Sequence, residues 1–323
     1  GGYGADMQRI VVIEGELGEK NLERLQKQFP QFTFQMFPTG HAEEAAVRQA
    51  EVVVVNANRK LVKPAESAKY IHTLSAGVDG ILDDLEQYHP QALFTNAAGV
   101  YDDCVGEHML MLMLAASRDL RHDIERMADG CWDKQPVKAE IAGSNVLVLG
   151  TGSIGTRVAE ICRVMKAQTI VGYKAHKSEC KAPFDRLIFD KEELKKAMAE
   201  ADFVSICLPG SSYTKGLFDA ELFACLKRGA IVANVGRGNI VDHDALVQAL
   251  KDGTVGYYAT DVTDPEPLPQ DHPLWAMKHV IITPHSAGTI VNPTRQTDWF
   301  AENLQAYVDG KNLPGLVNRK LRY

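Results

Sequence analysis

The sequence predicts an α/β protein of two open parallel-sheet domains, with the second inserted into the first. Three observations carry that expectation. The length, 323 residues, exceeds one ordinary domain and is enough to bury two modest cores. Short β-branched runs alternate with helical patterns almost from the start. A single helical segment is left over after the second series of strands, and it needs a partner.

RIVVIEG (9–15) reads as the first strand and LGEKNLERLQKQF (17–29) as the helix that follows it. EVVVVNA (51–57), KYIHTLSAG (69–77) and LFTNAAG (93–99) continue the alternation, closing a unit of about 95 residues, the size of one small domain. VYDDCVGEHMLMLMLAASRDL (100–120) reads as one long helix, with Asp102 or Asp103 as its cap and Val105, Met109, Leu112, Met113 and Ala116 at apolar spacing. It is apolar nearly all round, which suits a helix buried between domains better than a ligand surface, methionine being an adaptable packing residue.

NVLVLG (145–150) opens the second series, followed by TIVGY (169–173), FVSICLP (203–209), AIVANVG (230–236), VGYYATDV (255–262) and VIITPH (280–285). Continuous β-branched runs of this kind suit a parallel sheet covered on both faces. NPTRQTDWFAENLQAYVDGK (292–311) then reads as a helix and tail that return to the first domain. The expected domains are therefore 7–99 plus 290–323, and 100–289. GGYGAD, before Met7, is glycine-rich and patternless and is set apart from the fold.

Charge and cysteine usage exclude several classes of function. A net charge of −7 and a pI near 5.8 leave no basic footprint for nucleic acid or an anionic membrane. No apolar run approaches the roughly 18 residues that a membrane span needs. Six cysteines without a CxxC pair, or histidine at metal-ligand spacing, read as reduced, mostly buried thiols, and the protein is expected to be cytoplasmic and to hold no metal.

LGTGSIG (149–155) places GxGxxG after a strand and at the start of a helix whose apolar face is Ile154, Val158, Ile161 and Met165. Gly150 permits the tight turn, Gly152 lets backbone approach a pyrophosphate, and Gly155 allows close packing of helix on strand. The amides that open the helix, at Ser153 and Ile154, then face the phosphates. A purely steric glycine turn is the alternative, and the strand–turn–helix setting favours a dinucleotide.

Ligands of an open parallel sheet bind beyond the carboxyl ends of its strands. Those ends carry Leu208 and Pro209, Val235 and then Arg237, Asp261 within the end of its run, Asp264 and Glu266 beyond it, and His285 after VIITP. Each has an ordinary explanation, since strands end in polar loops and Asp-Pro favours a turn. Their coincidence on one edge changes the weighting. Arginine offers a charged fork for a carboxylate or keto oxygen, and histidine beside glutamate can hold and transfer a proton near neutral pH. With hydride from a nicotinamide cofactor, these groups describe reduction of a 2-keto acid: Arg237 orients it, Glu266 sustains His285, and His285 protonates the oxygen.

Together with ANVGRGNIVD (233–242), DVTDPEPLP (261–269), HPLW (272–275) and ITPHSAG (282–288), the glycine loop makes this chain resemble the D-isomer-specific 2-hydroxyacid dehydrogenases along nearly its whole length. That resemblance implies a Rossmann dinucleotide domain inserted into a flavodoxin-like substrate domain, with a mobile cleft between them. By it, Arg237, Glu266 and His285 match the catalytic trio, and Asp261 the position that holds the nicotinamide carboxamide. Leu208, Pro209 and Val235 fall with the cofactor contacts. The SAGVDGI loop (75–81) matches the segment whose amides receive the substrate carboxylate, implicating Ala76, Gly77 and Val78. Family members are usually homodimers, which makes the 100–120 helix an interface candidate as well. Glu266 argues against formate dehydrogenases, which the family pattern gives a glutamine there. The stop at Tyr323 departs from phosphoglycerate dehydrogenases with a C-terminal regulatory domain. The ending GLVNRKLRY is similar to short glyoxylate/hydroxypyruvate reductases. Glyoxylate or hydroxypyruvate is accordingly the expected substrate, and a non-catalytic dinucleotide sensor on the same fold is the alternative. Arg59 is either a contact for a polar substrate tail or, more in keeping with its loop, a solvated side chain.

GYKAHK (172–177) ends the strand where NAD-preferring proteins carry an acid for the ribose hydroxyls. Here that position is Lys174, and the nearest acid is Glu179. Lys174, His176 and Lys177 can neutralise a 2′-phosphate or simply be solvated; the missing acid favours NADP(H) over NAD(H).

Overall fold

In the computed structural model, residues 8–322 are described. GGYGAD lies outside them. The chain divides into two compact units, one made of the residues up to Tyr101 with those from Ile290 onward, the other Asp102–Thr289.

The first unit runs β1 (Arg9–Glu14), α1 (Glu19–Gln28), β2 (Phe32–Phe37), α2 (Glu44–Gln49), β3 (Val52–Val55), β4 (Tyr70–Thr73), α3 (Ile81–Tyr88) and β5 (Leu93–Thr95). Its strands lie in the order β2-β1-β3-β4-β5, all parallel, the flavodoxin-like arrangement. Successive side chains of a strand point to opposite faces. Val11, Ile13, Val52 and Val54 therefore meet Leu25 and Phe29 on one side, while Val12, Val53 and Val55 meet Leu61, Leu82 and Leu85 on the other. Both faces are dry, so β3 is a continuous run of valines rather than an alternating pattern.

The second unit runs α4 (Asp102–Ser117), α5 (Leu120–Ala128), β6 (Asn145–Leu149), α6 (Ser153–Val164), β7 (Thr169–Tyr173), β8 (Arg186–Ile188), α7 (Lys191–Glu200), β9 (Phe203–Ile206), α8 (Ala220–Ala224), β10 (Ala230–Asn234), α9 (His243–Asp252), β11 (Val255–Thr260) and β12 (Val280–Ile282). Seven parallel strands lie in the order β12-β11-β10-β9-β6-β7-β8. Counted from β6, this is the doubly wound Rossmann order, and the direction of winding reverses between β6 and β9. Loops after those two strands diverge, which opens a crevice at the carboxyl edge.

Three expectations change here. The helix expected over 100–120 ends at Ser117, because Asp119 takes a left-handed conformation (φ 50°) and α5 starts afresh at Leu120. Its apolar girdle is also satisfied inside its own unit: Val105, Met109, Leu112, Met113 and Ala116 are buried where α4 packs on α6, β10 and β11. Asp261 lies just past β11, which ends at Thr260.

After Thr289 the chain continues in the first unit as α10 (Thr294–Val308). Phe300, Ala301 and Leu304 pack on the face that holds Val11 and Val52. The tail then joins the sheet edge, where Val317 N donates to Phe94 O at 3.0 Å. Asn303 closes the corner, its Oδ1 accepting from Gly315 N at 2.8 Å.

Candidate active site

The carboxyl edge of the second unit gathers most of the residues singled out in the sequence. Gly150 follows β6 with φ 102°, a conformation side chains rarely adopt, and a Cβ there would stand 2.9 Å from the Cys207–Leu208 peptide. A Cβ on Gly236 would stand 2.5 Å from Leu208 O. Gly150, Leu208 and the Val235–Gly236 turn are thus brought together across the ends of β6, β9 and β10. Leu208 and Val235 are buried, and Pro209 is exposed.

Gly152, at the N-terminus of α6, is different: a Cβ placed there meets nothing within 4 Å. Having no side chain, it cannot cap the first-turn amides of α6. Bare amides at a helix N-terminus, open space over the middle glycine and a sheet of this winding fit the pyrophosphate of a nicotinamide dinucleotide. Ser153 is engaged by its side chain as well, hydrogen-bonded to Asp102, whose carboxyl is pushed up by burial.

His285 and Glu266 meet, although 19 residues apart: His285 Nδ1 is 2.7 Å from Glu266 Oε2. An ionised carboxylate only accepts, so Nδ1 carries the hydrogen and Nε2 is left to give or take a proton. Both side chains are partly exposed, 53% and 38%. Glu266 is fixed from behind by Thr263 N, which donates to Oε1 at 3.2 Å. His285 itself has φ 51°, rare for a residue with a side chain, and its amide donates to Asp261 O at 2.9 Å.

Asp261 is 2% exposed. Its Oδ1 accepts from Thr283 Oγ1 at 2.7 Å and Ser286 N at 2.8 Å, and its Oδ2 from Ala287 N at 3.0 Å. Much of this carboxylate is therefore spent in holding the turn on which His285 sits. A lone pair on Oδ2 has the capacity to accept one more hydrogen bond.

Arg237 lies three residues past the end of β10, after the Val235–Gly236 turn, and donates from Nη1 to Gly236 O at 3.0 Å. Buried Asn234 shapes the turn that presents it, accepting from Gly236 N at 2.9 Å and donating to Arg237 O at 3.1 Å. Asn234, Thr283 and His108, whose Nε2 lies 2.9 Å from Thr283 Oγ1, were not singled out from sequence. The available signal was a polar residue within an apolar run, visible for Asn234 in AIVANVG and weak for the other two.

In the first unit, the carbonyls of Ala76 and Gly77 are taken by Asn96 Nδ2 and Ser75 Oγ, each at 2.8 Å. A trans peptide directs its N–H away from its C=O, so the amides of Gly77 and Val78 point away from these partners. Arg59 forks onto Asp84, with Nε and Nη2 at 2.9 and 2.7 Å from its two oxygens, and is thereby committed to an exposed ion pair.

Lys174 follows β7, whose Tyr173 O accepts from Gly150 N at 2.8 Å, so the basic strand end adjoins the glycine loop. Its Nζ donates to Ser178 Oγ at 3.0 Å, and His176 and Lys177 are exposed. The nearby acid Asp190 caps α7 by accepting from Glu193 N at 2.8 Å.

Winding order and glycine loop together define a dinucleotide-binding oxidoreductase domain. The family described as D-isomer specific 2-hydroxyacid dehydrogenase, NAD binding domain, matches residues 110–287. The chain belongs to that family of enzymes. Glyoxylate reductase of Aeropyrum pernix is 33% identical over 271 residues, 81% of this chain and 79% of that one. A D-isomer specific 2-hydroxyacid dehydrogenase family protein from Aeromonas salmonicida subsp. salmonicida superposes with a TM-score of 0.85 at 28% identity, over 97% of this chain and 99% of the other. A D-isomer specific 2-hydroxyacid dehydrogenase from Xanthobacter autotrophicus, solved with NADPH and MES, superposes at 0.80 with 25% identity, over 98% and 99%.

Proposed function

We propose that the protein reduces a small 2-keto acid to its D-2-hydroxy acid with NADP(H), glyoxylate or hydroxypyruvate being the preferred class of substrate. The observation that carries this is the 2.7 Å contact between His285 Nδ1 and Glu266 Oε2. A histidine held in one tautomer by a carboxylate, on the sheet edge that also carries a dinucleotide loop, is an acid ready to protonate the oxygen formed by hydride addition. The bound cofactor supplies that hydride in reduction and accepts it in oxidation.

Each residue has a role in this reading. Gly152 admits the pyrophosphate, Gly150 and Gly155 supply the tight turn and the close helix packing beneath it, and the amides of Ser153 and Ile154 bind it. Leu208, Pro209 and Val235 line the dinucleotide, and Asp261 Oδ2 accepts from the carboxamide. Lys174, with His176 and Lys177, neutralises the 2′-phosphate. Arg237 orients the keto acid, the amides around Ala76, Gly77 and Val78 receive its carboxylate, Glu266 keeps the proton on His285 Nδ1, and His285 Nε2 delivers the other. The likeness to a glyoxylate reductase supports the substrate class. The NADPH-bound neighbour supports the cofactor. Turnover of NADPH and NADH with glyoxylate, hydroxypyruvate, pyruvate and phenylpyruvate tests the proposal. No oxidation across that panel overturns it in favour of a non-catalytic sensor.

We place the enzyme in the cytoplasm, on the strength of six cysteines that are all free thiols, although only Cys162 is buried where most were expected to be. A homodimer belongs to the same proposal, with its interface on α5 and the segment after it. The apolar residues of α4 named above are buried in their own unit, whereas Leu120, Ile124, Met127 and Trp132, on α5 and the segment after it, are exposed, Met127 by 73%. Light scattering of the intact protein and of a Met127→Glu variant tests this. A monomeric unsubstituted protein overturns it.

A further inference from the structure

We infer that His108 is a positioning residue for the His285 turn, acting through Thr283 and Asp261. His108 lies on α4, far in sequence from the strand ends, with its side chain 14% exposed. Its Nε2 is 2.9 Å from Thr283 Oγ1 and 3.4 Å from Asp261 Oδ1. Thr283 Oγ1 in turn is 2.7 Å from Asp261 Oδ1.

The hydrogens of this chain have one consistent order. Asp261 as a carboxylate only accepts, so the single hydroxyl hydrogen of Thr283 goes to it. Thr283 Oγ1 then has only lone pairs to offer, and His108 Nε2 must donate. The order is His108 Nε2–H to Thr283 Oγ1–H to Asp261 Oδ1. Without that first donor, the threonine hydroxyl has a second acceptor within reach, Thr260 O at 3.5 Å.

What depends on the order is the turn beyond Thr283. Asp261 uses its two oxygens to hold Ser286 N and Ala287 N, and its own carbonyl to hold His285 N. These three amides belong to a residue with φ 51° and the two that follow it, a backbone state that the surrounding structure must enforce. His108 thus fixes the rotation of a threonine, the threonine fixes a carboxylate, and the carboxylate fixes the angle at which His285 leaves the backbone to meet Glu266. The sequence conceals this, since a histidine amid Met and Leu looks like one more packed residue of an apolar helix.

The kinetic consequence rests on the dehydrogenase reading; the structural one does not, so the experiment has an arm for each. His108→Met removes the donor at similar bulk, and His108→Gln keeps an N–H at comparable reach. By amide hydrogen exchange of the unliganded protein, Ser286 and Ala287 are expected to exchange about tenfold faster in His108→Met and near the unsubstituted rate in His108→Gln. With keto acid and NADPH, kcat is expected to fall about tenfold in His108→Met, with KM little changed and the glutamine restoring most of the loss. Thr283→Val breaks the same chain, so His108→Met/Thr283→Val is expected to be no slower than Thr283→Val alone. Unchanged exchange in His108→Met overturns the relay, and so do multiplicative effects in the double variant. Loss of stability with kcat intact reduces His108 to a packing residue and overturns the positioning role. Absence of turnover in the unsubstituted protein overturns the dehydrogenase reading instead.

Discussion

A Cβ on Gly155 would stand 1.8 Å from the carbonyl oxygen of Gly150, whereas one on Gly152, three residues earlier, would touch nothing within 4 Å. The outer glycines are thus required by the fold and the middle one by whatever occupies the space above it. Gly155→Ala is expected to destabilise the protein by about 1–3 kcal/mol, as overpacking does. Gly152→Ala, at a φ of −70° that alanine adopts freely, is expected to leave the melting temperature unchanged and weaken NADPH binding about tenfold or more. Calorimetric melting and titration on the two variants separate these outcomes.

Replacing His285 by alanine removes the proton donor but none of the groups proposed to bind the cofactor. A fall in kcat of roughly 10²- to 10⁴-fold is expected, with the Kd for NADPH little altered. Glu266→Gln can still accept from Nδ1–H but no longer carries the charge that stabilises an imidazolium, so it is expected to lower kcat less than His285→Ala. Stopped-flow oxidation and cofactor fluorescence measure the two quantities. Normal turnover by His285→Ala reassigns the acid.

Lys174→Asp replaces the basic strand end with the acid that NAD-preferring proteins carry. The ratio of kcat/KM for NADPH to that for NADH is expected to fall about tenfold or more, given the strength of hydrogen bonds to charged groups. If the unsubstituted enzyme already prefers NADH strongly, the cofactor assignment is wrong.

His72, on β4, is fully buried against Phe300, with Nδ1 2.6 Å from Thr95 Oγ1. Burial pushes its imidazole from the ordinary 6.5 down to about 3. The unfolded chain therefore binds a proton below pH 6.5 that the folded chain refuses until about pH 3. In that window stability falls as pH falls, with a limiting slope of about 1.4 kcal/mol per pH unit from this residue. Urea midpoints measured from pH 7 to 4 are expected to decline, and less steeply in His72→Phe. Equal slopes in both would show that His72 titrates outside the core.

What was legible in the sequence followed from short-range rules. GxGxxG between a strand and a helix, and charged residues immediately after β-branched runs, give the sheet edge and the residues on it. What was not legible lay in segments too short for a pattern, or depended on distance in space. β8 has three residues, RLI, and α2 has six; neither shows a period. The break at Asp119 is a single backbone angle inside an otherwise helical composition. That Asp261 holds a turn, and that His108 stands beside Thr283, 175 positions away, is set by the packing of α4 beside β11 and β12 rather than by local propensity.

The return of α10 to the first unit orders events during synthesis. Chains are made from the N-terminus, and domains generally fold as units once their residues are available. The second unit has all of its residues by Thr289, but the sheet of β1 to β5 still lacks Phe300, Ala301 and Leu304, which cover one of its faces. A chain ended at Thr289 is expected to keep a protease-resistant second unit while its first unit is cut rapidly; equal resistance of both would contradict this. On the ribosome, the strands made first are the last to be finished, and their uncovered valines are the surface a chaperone would meet.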